Sequence, residues 1–242
     1  MKRNVLFFLF FLLIWHAFHK VFGIADYVLP APLDVAKAFQ NHTKLLYQHT
    51  LHTLQLILIG FFTSIVLAFF TAIVLDHFPK TLSWVRSVVL SLQSIPSIVL
   101  LPLLIIWFGC GFLPRLMIMT LSCYFPITLC CINGLTLTSE DYKTVIKLLD
   151  GRYWQRLYHV RLPNALPHIF SGLQIAAIST PLNAIAVDWI GSSQGLGYLI
   201  MLSHGNLKTD IMIAATIVVI VIAWFLYRLV SIAKRQLLFW EI

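Results

Sequence analysis

Long apolar runs separated by short polar intervals make up this chain, and their lengths predict its architecture before any motif is considered. Six stretches, about 4–24, 51–75, 86–108, 112–136, 166–190 and 209–233, are predominantly apolar. Most are long enough to cross a hydrocarbon core of ~30 Å as helices rising ~1.5 Å per residue. They predict an all-α membrane protein, a single transmembrane domain over 1–242. The first run follows Lys2 and Arg3, and the residues after it, HAFHKVFG, contain no small-residue cleavage pattern. It therefore reads as an uncleaved span. After it, Leu29-Pro30-Ala31-Pro32 breaks helix, and Leu33 to Phe39 predicts a short interfacial helix.

The longest polar interval runs from Thr138 to Pro167. Within it Tyr142, Val145, Ile146 and Leu149 recur at i, i+3, i+4 and i+7, one apolar stripe on a short helix with charges on the other face. Ser139 is placed to cap that helix, Glu140 and Asp141 suit its first turn, and Gly151 suits its stop. A second short helix, about Tyr153 to Arg161, is expected to end at Leu162-Pro163. An apolar stripe on a polar loop must be covered. Spacing leaves two covers open: the lipid interface or the chain's own loops, and a partner protein.

Composition agrees with the pattern. Sixty per cent of residues are hydrophobic and 11% charged, outside the range of soluble domains. The net charge of +8 would suit a nucleic-acid partner, but its distribution points elsewhere. With the N-terminus inside, twelve Lys and Arg fall in inner segments and five in outer ones: Lys20, Lys37, Lys44, Arg115 and Lys208. The positive-inside rule accounts for this excess with no nucleic acid, and puts both termini in the cytoplasm. Cys110, Cys123, Cys130 and Cys131 lie in or beside apolar spans without zinc-ligand spacing, and read as small apolar residues. His49 and His52 form a pair with no third ligand and read as polar residues at the start of a span.

Polar residues inside the spans mark a candidate path or gate. The third span carries Gln93, Ser94, Pro96 and Pro102, and two prolines loosen its backbone hydrogen bonding. Such an interruption points to a substrate path or to a packing kink. The fifth carries Asn183 and Asp188 before Gly191-Ser192-Ser193-Gln194-Gly195-Leu196-Gly197. Asp188 is the acidic residue best embedded in apolar sequence, so its position implies a partner. It either accepts N–H bonds from the glycine-rich turn or contacts solute. GSSQGLG lacks the Lys-Ser/Thr ending of a phosphate loop, and no G-x4-G-K-[ST] occurs, so ATP must be handled by another chain.

Several segments, in order, resemble permease subunits of bacterial binding-protein-dependent ABC importers. The interval from 138 to 165 is similar to that family's cytoplasmic coupling loop, E-A-A-x3-G followed about nine residues later by I-x-L-P. Aligned on Leu162-Pro163, the Glu-Ala-Ala positions hold Thr144, Val145 and Ile146, and Gly151 falls one residue late. GRYWQRLYHVRLPNALPHIFSGLQIA, YVLPAPLDVAKAF, IPSIVLLPLLIIWFGCG and AVDWIGSSQGLGYLI resemble the sulfonate, taurine and nitrate branch, which includes importers of thiamine pyrimidine precursors. That branch usually has Glu where this chain has Asp188.

The resemblance implies a type I importer permease fold in the bacterial inner membrane. Tyr142, Val145, Ile146, Leu149, Gly151, Leu162 and Pro163 would meet a cytoplasmic ATPase, which would use the ATP and Mg. A second permease copy, most simply in a homodimer, would complete the path, and a periplasmic binding protein would deliver the solute. The chain itself would carry no cofactor and catalyse no reaction. Two other classes are weighed against this. An intramembrane enzyme would want paired acid and base groups, yet Asp188 stands alone in the sequence. A stand-alone secondary transporter would want ionisable relays in several spans. The absence of Lys or Arg deep in a predicted span favours a neutral or aromatic solute, such as a pyrimidine, over a sulfonate, taurine or nitrate-type anion.

Overall fold

In hydrocarbon, backbone N–H and C=O groups have no water to bond, so an apolar run satisfies them internally as helix. The computed structural model describes residues 2–136 and 153–238, and the elements it describes are helical. They are α1 (Lys2–Val21), α2 (Pro32–Asn41), α3 (Thr43–His77), α4 (Pro79–Gln93), α5 (Ser97–Phe108), α6 (Phe112–Thr136), α7 (Tyr153–Gly191), α8 (Leu196–Gly205) and α9 (Thr209–Leu237). Among the described residues α3, α6, α7 and α9 are each long and apolar enough to span a membrane, and α4 with α5 makes a fifth candidate. In α1 the apolar helical part is the shorter Phe10–Val21.

One expectation is made specific and one is corrected. The interruption expected in the third apolar run is a sharp bend: its parts Trp84–Gln93 and Ile98–Phe108 meet at 94°. Pro96 has no N–H and disfavours helix at the residue before it. Ser94 and Ile95 instead close short turns onto Ser91 O and Leu92 O, at 3.2 and 3.1 Å. Pro102 sits inside α5 without ending it. Leu162-Pro163, in turn, does not end a helix. A π turn over Leu157–Arg161 carries α7 through the proline. The wider turn relieves the clash between the proline ring and the carbonyl one turn earlier. Leu162 N–H donates to Leu157 O, and the Asn164 side chain donates to Val160 O at 2.9 Å.

α6 is sandwiched between α3 and α7 by small residues. A Cβ on Gly60 would lie 2.9 Å from Met119 Cβ, one on Gly134 2.9 Å from Ala165 O, and one on Gly172 2.7 Å from Cys130 Cβ. Backbones approach this closely in membranes because packing, rather than water exclusion, holds helices together. Hydroxyls cross the same seams: Ser64 Oγ donates to Thr120 O at 2.8 Å, and Thr63 and Thr120 hydroxyls lie 2.8 Å apart. The main core, with Leu56, Ile57, Met119, Ile127, Ala177 and Val187, fills this sandwich. A second core joins α2, α8 and α9 through Val35, Ala38, Leu196, Leu199, Ile211 and Ala215. The short helix expected from Leu33 to Phe39 is α2, buried there along Val35 and Ala38. The remaining faces of α1, α3, α5 and α9 expose Phe, Leu, Ile and Trp side chains, as faces turned to lipid do.

Candidate functional site

Two buried polar clusters gather at opposite ends of α3. Near its start, α3 meets the glycine-rich turn that joins α7 to α8, and the carboxylate of Asp188, 1% exposed, is the centre of that meeting. Thr53 Oγ1 donates to Asp188 Oδ2 at 3.0 Å and accepts the Leu196 N–H at 2.7 Å. The Gly197 backbone N–H also donates to the Asp188 carboxylate. Arg115, on α6, donates from Nη1 to Asp188 Oδ1 at 3.3 Å and to Ser192 Oγ at 2.8 Å. Three helices and one turn therefore converge on one buried charge, and the bonds to its carboxylate are charge-assisted.

Glycines are required where the turn passes over this carboxylate. Gly195 has φ +105°, and a Cβ there would collide with Asp188 Oδ2. A Cβ on Gly197 would collide with Ile185 O and lie 2.8 Å from Asp188 Cβ. One on Gly191 would lie 3.2 Å from Arg115 Cγ. The turn is held on its other side by His49, whose Nδ1 lies 3.0 Å from both the amide N and the carbonyl O of Gly195. Accepting the Gly195 N–H requires the neutral ring with Nδ1 unprotonated. Beside it, Gln48, His49, His52, Ser193, Gln194 and Tyr198 line an open pocket of about 430 Å³.

The opposite end of α3 meets the start of α7. Asp76, its side chain 6% exposed, accepts from Arg161 Nη1 at 2.5 Å through Oδ1 and from Tyr153 OH at 2.9 Å through Oδ2. The His77 ring stands edge-on to Tyr153, centroids 4.9 Å apart.

Of the residues singled out from sequence, the structure joins Asp188, Gly191, Gly195 and Gly197 in one cluster. Asn183 is half-buried on α7 before it. Gln93, Ser94 and Pro96 lie at the exposed bend between α4 and α5. Leu162 and Pro163 are half-buried in α7 just past the π turn. Tyr142, Val145, Ile146, Leu149 and Gly151 lie outside the described residues.

Sequence reasoning missed Arg115, Thr53 and Asp76 and treated Asp188 as solitary. Arg115 was counted as an outer-segment charge although it lies within the fourth apolar run. A lone cation and a lone carboxylate, each at the same end of its span, was the available signal. Thr53 and Asp76 carried none, because nothing local distinguishes them from other polar residues near span ends.

Comparison with known proteins gives the family and the fold. Residues 60–238 match the family model described as "Binding-protein-dependent transport system inner membrane component". A probable ABC transporter permease protein of Haemophilus influenzae is 34% identical over 89% of this chain and 88% of its own length. The riboflavin transport system permease protein RibX of Chloroflexus aurantiacus is 31% identical over 95% of this chain and 87% of its own. The formylaminopyrimidine transport permease protein ThiX of Halalkalibacterium halodurans is 29% identical, with 82% of each chain covered. Among solved structures, an inward-facing MetNI methionine ABC transporter chain superposes with a TM-score of 0.68 at 18% identity, over 81% of this chain and 98% of that one. That likeness supports the type I importer permease fold. The chain belongs to the binding-protein-dependent transport system inner membrane components and is a permease subunit of an ABC importer.

Proposed function

We propose that this permease works as one of two copies around a shared path, with six spans counting α1 and the α4–α5 pair. The segment from 138 to 152 and the start of α7 are read as the cytoplasmic docking site for an ATPase. The turn at 192–197 is read as the opposite, periplasmic side, where a binding protein releases solute. Both termini are then cytoplasmic. The charge split of twelve Lys and Arg against five supports this orientation. Reporters fused after Lys80, Asp150 and Ile242 are expected to read as cytoplasmic, and those after Lys44 and Gln194 as external. An external signal at Asp150 overturns the orientation.

The solute is read as a neutral nitrogen heterocycle of the pyrimidine class. The carrying observation is that both Arg115 and Arg161, cations held between spans among the described residues, are already paired, Arg115 with Asp188 at 3.3 Å and Arg161 with Asp76. A free anion would have to compete with a buried carboxylate for either guanidinium. Relatives named for riboflavin and formylaminopyrimidine transport support the same class. The alternative is a sulfonate or taurine-type anion, with all selectivity in the binding protein.

Uptake separates the two readings. Cells expressing the permease with its neighbouring ATPase and binding-protein genes are offered labelled formylaminopyrimidine and labelled taurine. Accumulation of the pyrimidine, unaffected by excess taurine, is expected. Accumulation of taurine alone selects the anion. Co-purification of an ATPase with tagged permease is expected in either case, and its absence overturns the docking site read at 138–152.

A further inference from the structure

The two-point attachment of α7 to Asp76 has no part in the cluster at the far end of α3, yet both clusters hold the same two helices. Tyr153 opens α7, and Arg161 closes its π turn. They bracket that turn and both donate to one carboxylate, Tyr153 to Oδ2 and Arg161 to Oδ1. The chain thus passes from the interval at 138–152 directly into a clamp on the neighbouring helix. Beside the clamp, Phe69, Ile73, Leu135, Leu157 and Leu162 help to line an apolar cavity of about 220 Å³. A π turn is rare inside an α-helix and is found mostly as a single bulge, frequently at functional sites. With a cavity beside it, the first turns of α7 have room to move. The clamp to Asp76 ties any such movement to α3.

At its other end, 23 and 27 residues from Asp76, α3 holds Thr53 and His49 against the glycine-rich turn. At ~1.5 Å rise per residue those grips are roughly 35–40 Å from the clamp. α3 and α7 are therefore pinned to each other at both ends, by Asp76 at one and by Thr53–Asp188 at the other.

Resting on the importer reading above, we propose that Asp76 is a positioning residue: with Arg161 and Tyr153 it carries displacement of the first turns of α7 into α3, and so to the turn at 192–197. The pair acts as a linkage rather than as a contact with solute or ATP. A buried ion pair broken on one side leaves an uncompensated charge, so the linkage fails when either partner is removed. It is restored when the two charges are exchanged.

The test is the detergent-purified complex of permease and ATPase, with Gln194→Cys as probe in a Cys110→Ser, Cys130→Ser background. Cys110 is exposed and Cys130 half-buried, whereas Cys123 and Cys131 are buried. Maleimide labelling of Gln194→Cys is timed with and without ATP, Mg and vanadate. The intact linkage is expected to change the labelling rate about fivefold or more, the lower range of ordinary coupling. Asp76→Asn is expected to keep ATPase capture and ATP hydrolysis while abolishing the change, and Arg161→Gln is expected to abolish the change in the complex it still forms. Asp76→Arg combined with Arg161→Asp is expected to recover it, and Asp76→Glu to retain it.

A merely structural role would lower yield and hydrolysis together and leave the labelling ratio of the surviving complex unchanged, which overturns the proposal. So does an unchanged ratio in the complex with Asp76 and Arg161 intact. Failure of that complex to capture an ATPase overturns the importer reading instead, and the linkage with it.

Discussion

Asp188→Leu is expected to remove most of the folded permease while leaving the solute preference of the remainder unchanged. The carboxylate is 1% exposed and takes hydrogen bonds from Thr53, Arg115 and the Gly197 amide. Leucine satisfies none of them. Arg115, 15% exposed, loses its counter-charge between α6 and α7, and stranding one member of a buried pair costs about 3–5 kcal/mol. The turn over Asp188 loses its seat as well, because Gly195 and Gly197 are shaped to that side chain. The measurement is monodisperse yield and melting temperature in detergent, followed by solute competition on the surviving fraction. Adding Arg115→Met should recover part of the loss, since removing both charges is cheaper than removing one. Recovery should be incomplete, because Thr53 and the Gly197 amide still lack their acceptor. Normal yield with altered solute selection would assign Asp188 to the path instead of to the fold.

The second large effect is expected at the segment from 138 to 152. Val145→Asp or Ile146→Asp should leave membrane insertion intact, release the ATPase and abolish transport. The stripe Tyr142, Val145, Ile146 and Leu149 needs a cover, and on the reading proposed above that cover is the ATPase. Burying one such side chain is worth ~1.5–3 kcal/mol. An aspartate forfeits that and brings an unpaired charge to the interface. Because Val145 and Ile146 are bulkier than the paired alanines of the family pattern, the matching cleft should be roomier than usual. Lys143→Ala, on the opposite face, should do little. Pull-down of ATPase by tagged permease, with uptake in cells, decides it. Retained capture and uptake in both aspartate variants would mean that the stripe faces lipid or the chain itself.

The apolar runs carried much of the fold in their lengths alone. α3, α6, α7 and α9 all fall on predicted spans, because a backbone in hydrocarbon has helix as its local solution. Prolines were harder to read. Pro96 breaks a helix, whereas Pro102, Pro126, Pro167 and Pro181 lie within helices. Pro163 is absorbed by a π turn. Whether a lost N–H bond is repaired depends on what neighbouring helices and side chains offer, such as Asn164 reaching Val160 O, and that is not encoded at the proline itself.

The candidate site divides in the same way. Sequence alone determined that the chain is embedded in a membrane, that Asp188 needs a partner, and that the glycines after it form a special turn. Each follows from a local property: run length, a charge in apolar surroundings, and residues without a side chain. That the chain is a permease came from its resemblance to a family. Only the tertiary structure decided which partners those residues have. Arg115 lies 73 residues from Asp188, Thr53 lies 135 residues away, and Arg161 lies 85 residues from Asp76. Those pairings depend on which face of each helix turns inward, and in a membrane both faces are apolar, so hydrophobic periodicity does not mark the inward one. Close packing of Gly60, Gly134 and Gly172 sets the helix rotations, and the rotations bring the charges together.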